Sequence, residues 1–249
     1  MEVHHHSHTS RKKWTHYFWE FLMLFLAVFC GFLAEYQLEH TIEHQRAKEF
    51  SILMYEDLKK DTTVYRKGIE QFIMIEKHHD SLSLLLSTGT ENINHYSVIK
   101  HWINGVWGLR FTPHQATYEQ MKNSGSLRYV KNIRIVNSMQ DYYNSLLPKI
   151  THYHQVQSEL TENRIIPFME DHIDYREADF LTSTIHTDNP EFFDWNKKTA
   201  VKLYNMMAML KSQNGDLKKL YIEANGNAIT VMQLLKKEYH LSESTPLEK

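Results

Sequence analysis

The chain has 249 residues, with 28 Lys and Arg against 30 Asp and Glu. So even a balance excludes a basic field able to draw in nucleic acid. A mean hydropathy of −0.52 leaves room for no more than one membrane span. The single cysteine, Cys30, excludes an intramolecular disulfide. The 8 Gly and 5 Pro are few for this length and favour a small number of long helices over many short strands.

The first element is an unbroken apolar run, Phe21 to Ala34, lengthened by Tyr17, Phe18 and Trp19 before it and closed by Tyr36. The 20 residues from Tyr17 to Tyr36 cover, at about 1.5 Å each, roughly the 30 Å hydrocarbon core of a bilayer. Trp14, Tyr17, Trp19 and Tyr36 sit where interfacial aromatic belts form. Glu20 falls within one turn of the span's end, where a carboxylate can reach the interface. Cleavage after Ala34 would put Phe32 at the −3 position, where a small residue belongs, and a lipoprotein site at Cys30 would follow Phe29. The run therefore reads as an uncleaved anchor. Arg11, Lys12 and Lys13 precede it, and Glu35, Glu39 and Glu43 follow before Arg46, so the positive-inside rule sets the N-terminus in the cytoplasm. Ala27, Gly31 and Ala34 recur at small-xxx-small spacing, which lets two membrane helices approach closely.

The expected organisation is a cytoplasmic His-rich, basic tail over 1–16, a transmembrane helix over 17–36, a polar helical stalk over 37–49, an extracytoplasmic domain over 50–240 and a polar tail over 241–249. Beyond the stalk, apolar residues return at helical spacing at Phe50, Leu53, Met54, Leu58, Tyr65, Ile69, Phe72, Ile73 and Leu82. "STGTENIN" (87–94) ends this helix. A second helix covers about His95 to Trp107. A third begins with Thr112 as N-cap, Pro113 at N1 and Gln115 at N3, and ends before Gly125. A fourth runs from about Leu127 to His172 with a bend near Pro148. "READFLTSTIHTDNPEFF" is the longest irregular stretch. A last helix starts near Pro190 or Trp195 and ends near Tyr239, with a spine of Val201, Leu203, Tyr204, Met207, Leu210, Leu217, Leu220, Tyr221 and Ile229 and with Gly215 and Gly226 as weak points. The fold class expected is all-α: one transmembrane helix continuing into an antiparallel helical bundle.

The stretch "KKWTHYFWEFLMLFLAVFCGFLAEYQLEH", with "YEDLKKDT" (55–62) and "TYEQMKNSGSLRYVKN" (117–132), resembles a family of uncharacterised, single-pass, N-terminally anchored membrane proteins from Gram-negative bacteria, described only as a domain of unknown function. The resemblance implies an inner-membrane anchor, a helical periplasmic domain and a native "HHHSH" segment. It carries no catalytic residues.

Several constellations invite chemistry. "HTIEH" matches the H-x-x-E-H pattern of inverted zinc peptidases, with His40 and His44 on one helix face and Glu43 as base. It stands on a stalk and outside a mixed α/β domain, so it stays a weak candidate. Glu76 and His79 have the E-x-x-H spacing of di-iron bundles, but those sites need two such pairs plus two further carboxylates; no convincing second pair is found, and the two read as surface residues. His4, His5, His6 and His8 can take up a transition metal. Trp102 and Trp107 with Met206, Met207 and Met209 read as core, as do Tyr142 and Tyr143. Lys122, Arg128 and Lys131 surround an exposed turn. No phosphate loop, nucleophile elbow or EF-hand loop occurs, and no cofactor is implied. The expectation is a non-enzymatic, membrane-anchored scaffold that contacts the lipid bilayer and a protein partner or a second copy of itself. The alternative is a sensor-like ligand-binding domain. The 16 residues before the span are too few for an output domain, so such a sensor would signal through a partner. A metal-dependent hydrolase on His40, Glu43 and His44 comes third.

Overall fold

The computed structural model describes residues 14–87, 89, 92–108, 111–179 and 182–241. The chain divides into two compact units, Met1–Lys48 and Glu49–Lys249. The protein is mostly helical. In chain order come α1 (Trp14–Ser87), α2 (His95–Val106), α3 (Ala116–Asn123), a 3-10 turn (Ser126–Tyr129), α4 (Ile133–Gln140), α5 (Leu147–Leu160), α6 (Ile166–His172) and α7 (Lys197–Tyr239).

The first unit is the apolar start of α1. An 18-residue window there has a hydropathy of 2.0 and no buried share. Phe21, Phe25 and Phe29 stack at i, i+4 with ring centroids about 6 Å apart, 6.2 and 5.9 Å in turn. Glu20 lies 3.0 Å from His16, one turn back.

The second unit is organised by an alternation that an apolar scan misses. Ser51, Met54, Leu58, Asp61, Tyr65, Gly68, Phe72, Ile75, His79 and Leu82 of α1 are all buried. Their spacing alternates three and four, the heptad seam of a packed helix. Asp61 and His79 are polar members of that seam. α7 repeats the pattern with Leu203, Met207, Leu210, Asn214, Leu217, Tyr221, Ala224, Ala228, Val231 and Leu235. Lys211 of α7 reaches Asp80 of α1 at 2.5 Å, Lys218 pairs with Glu76, and Tyr221 packs edge-on against Phe72 and Tyr65 at 5.2 Å from each. Ser51 meets Tyr239 through a side-chain hydrogen bond.

This seam corrects the expected spine of α7. Val201, Tyr204 and Ile229 are exposed, at 48, 42 and 40%. Small or polar residues, Ala224, Ala228 and Asn214, fill the positions that face the interior. Ile73 of α1, likewise expected inside, is exposed because Phe72 already holds the seam. α7 passes through Gly215 and Gly226 without interruption.

The start of the third helix also differs from expectation. Its N-cap is Gln115, not Thr112, and no side chain caps it. The backbone N–H of His114 donates to Asp61 Oδ1 at 3.1 Å, so the segment before α3 is held by α1 and not by a capping box. Gly125 does take the left-handed conformation, at φ 71°, ahead of the 3-10 turn.

Between Ile133 and His172 the chain stays helical but widens twice, over Asp141–Leu146 and Thr161–Ile165, where it is π-helical. Leu147 N–H bonds Tyr142 O and Ile166 N–H bonds Thr161 O, each five residues back. Pro148 and Pro167 follow these bonds directly. A proline lacks the donor for the carbonyl four residues back and crowds it, and a five-residue bond relieves both defects. The irregularity expected at Pro148 is thus a π stretch, and it has a twin at Pro167.

The stretch expected to be irregular contains two short strands, β1 (Ala178–Asp179) and β2 (Thr184–Ile185), paired antiparallel with Ala178 opposite Ile185. Ile173 bridges Phe192. Ala178, Ile173 and Phe192 are buried, so this backbone packs against the core and must pair its polar groups. The all-α expectation is corrected to that extent.

α2 packs on α1 through a close approach at Gly105. His79, 1% exposed, meets the Gly105 carbonyl through Nε2 at 2.8 Å. A Cβ at Gly105 would stand 3.0 Å from His79 Cδ2. Gly105→Ala should therefore lose stability, by about 1 kcal/mol or more, because overpacking outweighs the gain in helix propensity. Gly226 has open space around it, and Gly226→Ala should gain about 0.5–1 kcal/mol. Denaturant unfolding of the two variants checks the opposite signs.

Candidate functional site

Asp61 is fully buried, and three donors converge on its carboxyl group. Oδ1 accepts from the His114 backbone N–H at 3.1 Å and from His114 Nδ1 at 2.7 Å. Oδ2 accepts from the Tyr142 hydroxyl at 2.7 Å. Since the Tyr142 proton is committed to Asp61, the Tyr65 hydroxyl, 3.0 Å from Tyr142 Oη, is the donor of that pair. The same logic sets the His114 tautomer: Nδ1 carries the proton, and Nε2 is the basic nitrogen of a ring that remains partly open to solvent.

A second layer surrounds this centre. Tyr143 donates to Met54 Sδ at 3.0 Å, and its ring stacks on Tyr118 at 4.3 Å between centroids. Asn144 donates to Tyr118 Oη at 2.7 Å, and Thr117 donates to Asp57 Oδ2 at 2.6 Å. Burial, reinforced by the nearby Asp61 carboxyl, pushes the phenols of Tyr142 and Tyr143 far above the usual tyrosine range. Burial does the same to Tyr65. All three stay protonated and serve as fixed donors.

Beside this network lies an open cleft of about 420 Å³ between the end of α2 and α5. Val106, Trp107, Phe111 and Ile166 form its apolar wall. His154, Gln157, Thr161 and Glu162 supply its polar groups. Phe111 links cleft and network, with its ring 4.7 Å from that of Tyr65. His154 Nε2 lies 2.8 Å from the Tyr221 hydroxyl. Gln157 and Thr161 are themselves buried, and Gln157 donates to Asn214 Oδ1 of the α7 seam at 2.7 Å. Thr161 and Glu162 open the second π stretch, and such stretches are frequent at functional sites. An apolar pocket with a few converging polar groups is the ordinary form of a small-molecule site.

The residues singled out from the sequence are dispersed. His40 and His44 are exposed on α1, and Glu43 is half-buried. No group of three or more His, Cys, Asp and Glu side chains placed to hold a metal ion occurs among the described residues. Glu76 and His79 do not converge: Glu76 pairs with Lys218, and His79 turns to Gly105. His79 is a core residue, which corrects its reading as a surface group. Trp102 is buried and donates through Nε1 to Met169 Sδ at 2.6 Å. Met206 and Met207 are core, Met209 is exposed, and Trp107 lines the cleft. Tyr142 and Tyr143 are buried as expected, but as hydrogen-bonding groups and not as plain packing. Lys122 lies 3.9 Å from Glu119, and Arg128 sits over the Tyr129 ring at 5.1 Å. Ala27, Gly31 and Ala34 are exposed on α1. At about 100° per residue they face away from Phe21, Phe25, Phe29 and Phe32. His4, His5, His6 and His8 lie outside the described residues.

Sequence reasoning missed Asp61, His114, Gln157 and His154. Asp61 was legible in one way: it falls on the three-four alternation of α1. His114 was not, because only the fold brings it to Asp61.

Two outcomes follow. Tyr142→Phe leaves Asp61 Oδ2 without its donor and should cost about 1–3 kcal/mol, whereas Tyr96→Phe, on an exposed ring of α2, should stay within about 0.5 kcal/mol. Denaturant unfolding compares them. Burial holds the His79 pKa below its ordinary value, despite the opposing bond to Gly105. Below about pH 6.5 the unfolded chain therefore binds a proton that the folded one refuses. Stability should fall as pH drops through that value, with a slope of up to about 1.4 kcal/mol per pH unit for this one group. His79→Gln keeps a donor for the Gly105 carbonyl and should flatten the profile between pH 7 and 5.

No protein-family model, curated protein or solved structure matches the chain.

Proposed function

We propose that the protein is a single-pass membrane protein, with a cytoplasmic N-terminus and a helical domain beyond the membrane, that works by contact with a partner. The observation that carries this reading is the exposed apolar start of α1. Its phenylalanines stack outward on one face, Phe21 is 64% and Phe32 71% exposed, and none of the described residues of the first unit covers them. That much apolar surface needs an apolar solvent or a partner. The basic residues before it and the acidic ones after it support the orientation. The resemblance of the same stretch to anchored proteins of Gram-negative bacteria supports an inner-membrane location with the domain in the periplasm. Opposite the phenylalanine face, Ala27, Gly31 and Ala34 offer a surface for a second membrane helix, from another copy or a different protein.

The domain itself is read as an antiparallel helical bundle. The contacts Ser51–Tyr239, Phe72–Tyr221, Glu76–Lys218 and Asp80–Lys211 support this, because one number rises as the other falls. The polar groups around Asp61 bond one another and leave the surface of the domain for contact with a partner, which favours a scaffold. One observation favours a second reading, a ligand-binding sensor: the cleft beside Trp107 and Phe111 is large enough for a small molecule.

Two measurements test the proposal. In a Cys30→Ser background, Asn92→Cys should react with a membrane-impermeant maleimide in spheroplasts, and Glu2→Cys only after lysis. The reverse pattern would overturn the orientation. Crosslinking in intact cells, followed by mild extraction, should then recover one recurrent, near-stoichiometric membrane partner. Recovery of monomer alone would remove the scaffold reading and leave the ligand-binding one.

A further inference from the structure

α1 and α2 meet through two imidazoles that play no part in the cleft or the Asp61 network. His78 Nδ1 and His101 Nδ1 stand 3.0 Å apart, with ring centroids 5.2 Å apart and ring planes inclined at 51°. Both side chains are half-buried. Two neutral imidazoles at this distance share a single proton: one Nδ1 donates and the other accepts. Burial and the nearby Lys100 charge hold both below the ordinary histidine pKa. At neutral pH the pair thus presents two uncharged rings.

Uncharged imidazole nitrogens that converge from two rigid helices are also what a transition-metal ion requires. We propose that His78 and His101 form a two-imidazole site for a divalent transition metal, copper(II) before others, which pins α1 to α2. The spacing, that of a hydrogen bond between the rings, is also close to that of two adjacent ligands on one ion. At metal–nitrogen distances of about 2.0–2.1 Å, the 3.0 Å separation subtends an angle of about 91–97° at the ion. That is the angle between adjacent ligands in a square-planar or octahedral site, the form taken by copper(II) and nickel(II). Copper(II) also heads the affinity order for nitrogen ligands. The half-open position leaves the remaining ligand places to water. On binding, the ring that donated through Nδ1 takes its other tautomer with the proton on Nε2, so the exchange balances without net loss of a proton at neutral pH.

The site differs from the candidates apparent in the sequence, His40 with Glu43 and His44, and the N-terminal histidine cluster, and the test must separate them. The protein is the full chain in detergent, with His4, His5, His6 and His8 all changed to Ala. Copper(II) is titrated by calorimetry, and the bound ion is examined by electron paramagnetic resonance. One ion per chain, with a spectrum of two coordinated nitrogens, is the expected result. His78→Gln and His101→Gln should each abolish it, and the combined change His40→Ala and His44→Ala should leave it intact. Thermal unfolding checks that the variants fold, and copper should raise the melting temperature of the parent but of neither Gln variant. Copper binding that survives both Gln changes, or that disappears with His40 and His44, would overturn the proposal. So would the absence of binding in the parent.

Discussion

A carboxyl group without solvent contact sits at a seam position of α1, and the second unit is arranged so that donors reach it. Burying a polar group costs several kcal/mol unless its hydrogen bonds are restored. Asp61 restores three, from His114 twice and from Tyr142 once. Two chain segments far from α1 in sequence are thereby committed. The residues before α3 are held by the seam and do not start a helix at Thr112. Tyr142, in the first π stretch, must point inward with its neighbour Tyr143. The network reaches the cleft through Tyr65, by way of Phe111 and of Tyr221 with His154, so whatever enters the cleft meets a wall whose position depends on Asp61.

The polar seam residues share a logic. Asp61, His79 and Asn214 each occupy a position that an aliphatic side chain would fill in a plain heptad repeat. Each is tied to a second element: Asp61 to the α3 entry, His79 to the Gly105 carbonyl of α2, Asn214 to Gln157 of α5. Single polar groups at seam positions set register in packed helices at some expense in stability, because a shifted register leaves them unpaired. Here the same residues also place the elements that line the cleft. The prolines act differently. Pro148 and Pro167 do not end their helices; each is accommodated by a five-residue hydrogen bond just before it, and the second of these stretches supplies Thr161 and Glu162 to the cleft.

The two units answer to different surroundings. In the first, apolar rings point outward along one face and small residues along the other, as in a helix that meets lipid on one side and a partner on the other. In the second, apolar residues turn inward at heptad spacing, and the charged pairs Glu76–Lys218 and Asp80–Lys211 lie at its surface. Such exposed pairs contribute little to stability but agree with only one alignment of α1 with α7. An exposed apolar helix start in the first unit is thus followed along the chain by a second unit that carries a cleft and a half-open imidazole pair.

Helix content, the extent of α1, the ends of α2 and α7, the left-handed Gly125 and the apolar character of residues 17–36 were legible in the sequence, because each depends on residues within a few positions of one another. Apolar periodicity placed Met54, Leu58, Tyr65, Phe72 and Leu82 inside but passed over Asp61 and His79, since a count of apolar residues is blind to buried polar ones. It chose Val201, Tyr204 and Ile229 over Ala224 and Ala228, because hydrophobicity alone does not tell which stripe of a long helix faces a neighbour. The α3 cap, the strand pair at Ala178 and Ile185, the meeting of His114 with Asp61 and of His78 with His101, and the cleft were decided by the tertiary structure alone. Each joins residues at least seven positions apart, and most join residues more than twenty apart. No local propensity encodes such a meeting; it exists only once the helices have packed against one another.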